Sequence, residues 1–140
     1  MGNCRDRAVC GGDRVVGGTV IQTLWIPGPV WAQNEMIAAA KKARGRVYAA
    51  KKREWTNLVK LLAKATGLRP VARAHVTFDF RELARRRDPD NLRSSSKWIL
   101  DGLVAAGVLP DDGWDEIAGF SDTWRVDKAK PGVLVTITAA

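Results

Sequence analysis

The residues best equipped for chemistry stand between Arg85 and Asp112, in the stretch RRRDPDNLRSSSKWILDGLVAAGVLPDD. Asp88, Asp90 and Asn91 make a D-x-D-N run, and Asp111 and Asp112 make a second acidic pair at the far end. Pro89 restricts Asp88 to extended backbone and so fixes the first two carboxylates relative to each other. A short, stiff turn with two carboxylates suits a hard divalent cation, because magnesium takes oxygen ligands at roughly 2.0–2.1 Å and keeps several waters. Arg85, Arg86 and Arg87 stand directly in front, so the same turn can hold a cation and receive a polyanion. The bland alternative is that Asp90 or Asn91 caps the following helix and Asp88 pairs with one of those arginines.

Several elements must position this stretch. Thr19 to Ile26, rich in β-branched and aromatic residues, reads as a strand ended by Pro27, Gly28 and Pro29. An alanine-rich, basic segment follows, and its helix is expected to stop at Gly67, with Pro70 just beyond. Val47, Trp55, Leu58, Leu62 and Ala65 recur there at helical spacing and are read as its core face. Arg73 to Arg81 alternates cleanly, with Ala74, Val76, Phe78 and Phe80 on one face and His75, Thr77 and Asp79 on the other, which predicts a half-buried strand. His75 beside one carboxylate is read as a surface strand residue. In the central stretch Leu92, Ile99, Leu103 and Ala106 define the apolar stripe of a second helix, closed by Gly107. Glu116 to Val126 and Val133 to Thr138 read as two strands, and the turn DKAKPG between them predicts an antiparallel hairpin. The fold expected is therefore a single α+β domain, a mixed four-stranded sheet with two main helices in the order β-α-β-α-β-β. Residues 1–18, rich in glycine and arginine, are expected to be a flexible leader ahead of the domain at 19–140.

At 140 residues, with 46% apolar and 27% charged side chains, the chain has the length and composition of one globular domain. Its net charge of +8 favours a polyanionic partner. Lys41, Lys42, Arg44, Arg46, Lys51, Lys52 and Arg53 form a run with no acid until Glu54, a candidate phosphate-binding surface rather than only a solvated helix face. Trp31 and Tyr48 are interleaved with it, either as stacking platforms for bases or as core residues. No apolar run approaches the roughly 20 residues of a spanning helix, so a membrane partner is not expected. Cys4 and Cys10 are too few for a structural zinc site and fit a reducing cytosol. No nucleophile has a matching base, which removes serine and cysteine hydrolases. The D-x-D of metal-dependent glycosyltransferases would need a nucleotide-binding domain for which there is no room.

The D-x-D-N start, Asp101-Gly102-Leu103, the A-G-V turn and the closing D-D resemble the RusA family of Holliday junction resolvases. The likeness runs back to the first strand, where W-I-P-G-P to Asn34 is similar to that family's proline-rich strand end and asparagine. The resemblance implies a homodimeric, magnesium-dependent endonuclease, with manganese expected to substitute, that cuts four-way DNA junctions during recombination and repair in the cytoplasm of bacteria or phage-infected cells. It implies Asp88, Asp90 and Asp112 as catalytic metal ligands. The family's lysine four residues after the second aspartate falls on Ser94. Between Asp90 and Asp101 this chain carries three residues more than the family's spacing, nearly one helical turn, so Lys97 is expected in the lysine's place and Arg93 second to it. DNA contacts are expected from Asn34, the 41–53 run and Arg85, Arg86 and Arg87. The alternative to an enzyme is a structure-specific nucleic-acid-binding protein without nuclease activity.

A helix over residues 92–106 would be roughly 22 Å long, and Val108 to Pro110 reach back only about 10 Å. Asp112 then cannot join Asp88 and Asp90 of its own chain unless the helix breaks around Ser94 to Ser96. Pairing two such helices across a two-fold axis would share the site between chains.

Overall fold

The computed structural model describes residues 12–140. Cys4, Cys10 and the rest of the expected leader up to residue 11 lie outside the described residues. Strands β1 (Gly12–Val16), β2 (Thr19–Pro27), β3 (Ala74–Glu82), β4 (Ile117–Val126) and β5 (Gly132–Ala139) form one sheet in the order β1-β2-β5-β3-β4. The helices of eight or more residues are α1 (Gln33–Ala40), α2 (Arg46–Thr66) and α4 (Ser96–Ala105), and a one-turn helix α3 (Pro89–Arg93) precedes the last.

The result is one mixed α+β sheet domain, with three corrections to the expected topology. The first is a fifth strand. Residues 12–16 pair antiparallel with β2 through a two-residue turn in which Gly17 and Gly18 have φ of 54° and 83°, backbone that glycine adopts without strain. The second correction is that β4 and β5 do not form a hairpin. β3 lies between them, parallel to β4 and antiparallel to β5. The link over residues 127–131 passes the end of β3, where the Asp127 N–H donates to the Glu82 carbonyl at 2.8 Å. Two strand spacings are about 10 Å, well within reach of five residues. A local turn signal therefore fixed the reversal but not the neighbour. The third correction divides the basic segment. α1 and α2 are separate helices, joined by a 3-10 turn over Ala43–Gly45 in which Ala43, Arg44 and Gly45 have φ of 47°, 54° and 82°.

α2 and α4 cover one face of the sheet. Trp55 of α2 packs on Trp98 of α4 at 4.9 Å between ring centroids. A Cβ on Gly102 would sit 2.5 Å from the Val59 Cβ, so glycine sets how closely the two helices approach. Beneath them lie Leu24, Ile26, Val76, Phe78, Phe80, Val133, Val135 and Ile137, all essentially buried. The alternation predicted for β3 is present, with Ala74, Val76, Phe78 and Phe80 inward. Of the face predicted for α2, Val47, Trp55 and Leu62 pack against the core while Ala65 is exposed, and Val59 and Ala63 add its fully buried positions. α2 and α4 end alike, at Gly67 and Gly107 with φ of 77° and 78°. The amide that follows each glycine closes the turn, Leu68 onto the Ala63 carbonyl and Val108 onto that of Leu103. Among the described residues, no helix is long and apolar enough to cross a membrane.

Candidate metal centre and nucleic-acid interface

The two acidic ends of the central stretch are held by different means. Asp88 is the residue before α3, with extended backbone, and its side chain makes no capping hydrogen bond. Its carboxylate is exposed, and no ion pair reaches it among the described residues. Asp90 is exposed too, and its Oδ1 accepts only the amide of Asn91, at 2.9 Å. The bland alternative in which Asp88 pairs with an adjacent arginine is therefore not what the fold builds.

The reason lies in the arginines. Arg85 and Arg86 are exposed, but Arg87 turns inward. Its Nε donates to Glu82 at 2.6 Å, and its Nη1 donates to the Val30 carbonyl at 2.7 Å and to Glu35 at 2.8 Å. Burial works against the charge, but Glu82 and Glu35 outweigh it, so the guanidinium holds its proton more tightly than a free arginine. Arg87 ties the end of β3 and the start of α1 to the loop carrying Asp88; it is a brace rather than a free phosphate contact.

Asn91 makes the second tie. It is buried, and its Oδ1 accepts the backbone N–H of Asn34 at 2.9 Å. Ala32, the residue at the start of α1, has no capping side chain, so Asn91 caps α1 rather than its own helix. Asn34 thus meets the aspartate turn through its backbone while its side chain is on the surface.

Between Arg93 and Ser96 the helix tightens without reversing. The Ser94 hydroxyl donates to the Asn91 carbonyl at 2.6 Å and the Ser95 hydroxyl to the Leu92 carbonyl at 2.8 Å. The Lys97 amide bonds three residues back to Ser94 at 3.3 Å, and four-residue spacing resumes at Ile99. Serine hydroxyls competing for helix carbonyls account for the interruption. Ser94 therefore faces its own backbone, and Lys97 opens the next helix with its side chain 62% exposed.

Lys97 Nζ lies 3.2 Å from Asp101 and 3.5 Å from Asp112. The hydrogen bond to Asp101, ahead of a smaller loss to burial, holds the ammonium above its ordinary value of 10.5, and the Asp112 charge adds to this. Asp101 also takes Lys52 of α2 at 3.5 Å. A chain of alternating charge, Lys52, Asp101, Lys97, Asp112, thus joins the basic run to the second acidic pair. Lys41, Lys42, Arg44, Arg46, Lys51 and Arg53 are exposed. Trp31 and Tyr48, 5.5 Å apart, are taken by the core, and the Trp31 carbonyl accepts the Trp98 indole N–H. His75, as expected, lies in β3 on the face away from the helices, 2.8 Å from the Ser121 hydroxyl.

The three aspartates do not meet. Among the described residues no three His, Cys, Asp or Glu side chains are grouped to hold a metal. Asp88 and Asp90 suit a hard dication in donor type and exposure. Asp112 reaches back only to Lys97, and the helix rise from residue 90 to residue 97 is about 10 Å. The interruption at Ser94 and Ser95 thus does not bring the site together within one chain.

Three features of the site were not legible in the sequence: Asp101 as the hub of the charge chain, Glu35 with Glu82 as the receivers of Arg87, and Trp124 beside Asp88. Only Asp101 left a sequence signal, its i,i+4 spacing from Lys97. Trp124 of β4 stacks on Phe80 at 6.0 Å and helps line a cleft of about 260 Å³ that includes Asp88. The chain matches no protein-family model and no curated protein.

Proposed function

We propose that this chain is a magnesium-dependent endonuclease that cuts four-way DNA junctions by phosphodiester hydrolysis, acting as a homodimer. The observation that carries the reading is Lys97, held between Asp101 and Asp112 and linked through Lys52 to the basic run. A protonated ammonium there can stabilise charge on a non-bridging oxygen or the leaving group. The exposed cations of the 41–53 run, with Arg85 and Arg86, bind the backbone by charge, so affinity falls steeply with salt. Asp88 and Asp90 would hold the metal, which lowers the pKa of a bound water and neutralises the in-line transition state. Arg87 and Asn91 fix the turn that presents those two carboxylates.

Asp112 would complete the donor set from the partner subunit, because it does not reach Asp88 and Asp90 of its own chain. A two-fold dimer presents two sites to the two symmetric strands of a junction. Mixing Asp90→Asn and Asp112→Asn proteins tests this: shared sites give heterodimers with recovered cleavage, and no recovery counts against sharing.

The test of the reading as a whole is cleavage of a labelled four-way junction in magnesium, abolished by Asp90→Asn. One observation favours a second reading, a junction-binding protein without nuclease activity: Asp112 is paired with Lys97 rather than grouped with Asp88 and Asp90. Junction binding with no cutting in magnesium or manganese would establish that reading instead.

A further inference from the structure

The cleft beside Asp88 has a construction that phosphate binding alone does not require. Its floor is apolar, made by Phe80 and Leu92, which are 1% and 3% exposed. One wall is Trp124, whose ring lies nearly parallel to Phe80, with 14° between planes. Trp124 remains 39% exposed, so part of an oriented aromatic surface is open to solvent at the cleft. The rim carries opposite charges, the free carboxylate of Asp88 and the exposed Arg85. Arg87 belongs to the same wall, held there by its bonds to Glu82 and Glu35.

We infer that this cleft takes one unstacked nucleobase of the bound DNA strand, with Trp124 as its stacking platform, beside the phosphate that Asp88 addresses. The inference rests on the nuclease reading for its position and on the cleft itself for its ligand. A volume of about 260 Å³ fits a planar ring and not a duplex. An aromatic face receives any base. Arg85 at the mouth suits the attached phosphate. Bases at a branch point are the least firmly stacked in a junction, so placing one here costs less than extracting it from a continuous duplex. Trp124 thereby becomes a residue that positions the strand at the metal turn and gives the site preference for branched over fully paired DNA.

The competing occupant is an apolar side chain of a second copy, for which Trp114, 98% exposed, is the obvious donor. Binding measured in chelator, where no cutting occurs, distinguishes the two. The probes are a short oligothymidylate and its abasic counterpart of equal length and charge, titrated into wild type, Trp124→Leu and Trp124→Phe. Wild type should prefer the strand with bases by about ten-fold or more. Trp124→Leu should bring the ratio close to one with abasic affinity unchanged, and Trp124→Phe should keep part of the preference. Equal affinities in wild type, or a preference that survives in Trp124→Leu, would overturn the inference. So would a change in oligomeric state on Trp124→Leu with no change in the ratio. Junction cleavage in magnesium is scored separately. A base preference without cleavage removes the nuclease reading and leaves the cleft, and cleavage without a base preference does the reverse.

Discussion

The two acidic ends of the central stretch have the same residue type and opposite treatment. Asp112 is neutralised by Lys97, which is itself shared with Asp101. Among the described residues no cation pairs with Asp88 or Asp90, although three arginines immediately precede them, because the nearest of these is committed to Glu82 and Glu35. Arg87 instead braces the loop through those two glutamates and the Val30 carbonyl. Leaving the Asp88 carboxylate exposed gives up an ion pair and keeps a hard-cation donor free. The comparison teaches that carboxylate count says little here. What distinguishes the two ends is where the neighbouring cations are sent.

Breaking the free end should have the largest effect. Asp90→Asn is expected to lower junction cleavage by at least ~10²-fold while leaving the melting temperature unchanged, since the side chain is exposed and makes no ion pair among the described residues. Cleavage assays paired with thermal melts check both halves. At the paired end, Lys97→Gln should reduce cleavage by ~10-fold or more with junction affinity little altered, whereas Ser94→Lys should not restore it, because Ser94 faces the Asn91 carbonyl.

Arg87→Ala should reverse the pattern, affecting stability more than chemistry. It leaves Glu82, 12% exposed, without its partner. The expected loss is roughly 2–3 kcal/mol, at or below the low end of what breaking a buried pair costs, read from denaturant unfolding. Asn91→Ala removes the cap on α1 and should cost about 1 kcal/mol by the same measurement.

The smallest effect is in titration. Because the folded value of Lys97 is raised, its contribution to stability is present below the unfolded value of 10.5 and is lost as pH rises through the folded value. Asp101→Asn should move the Lys97 titration down toward 10.5, followed by NMR of the side-chain amine, with Asp112 retaining part of the shift.

Much of this was legible because it is local. The inward row of Ala74, Val76, Phe78 and Phe80 follows from a period of two, and Gly67 and Gly107 end helices for the same backbone reason in any context. The move from Ser94 to Lys97 was a reading of spacing, and the structure adds that Lys97 lies beside Asp112. What was not legible depends on partners distant in sequence. Nothing in DKAKPG says that β3 will lie between β4 and β5. Nothing distinguishes Arg87 from Arg85 and Arg86 until Glu35, more than fifty residues earlier, is brought alongside. The strand at residues 12–16 was hidden by its glycine- and arginine-rich surroundings, and the break at Ala43–Gly45 by flanking alanines and cations that favour helix, with Gly45 its one local signal.

The most direct test is the single-turnover rate of four-way junction cleavage as a function of magnesium, for wild type, Asp88→Asn and Asp90→Asn, with junction binding measured alongside. The account predicts magnesium-dependent cutting by wild type and junction binding without cutting by both variants. Cutting that survives both substitutions, or wild type that binds the junction and never cuts it, would contradict it.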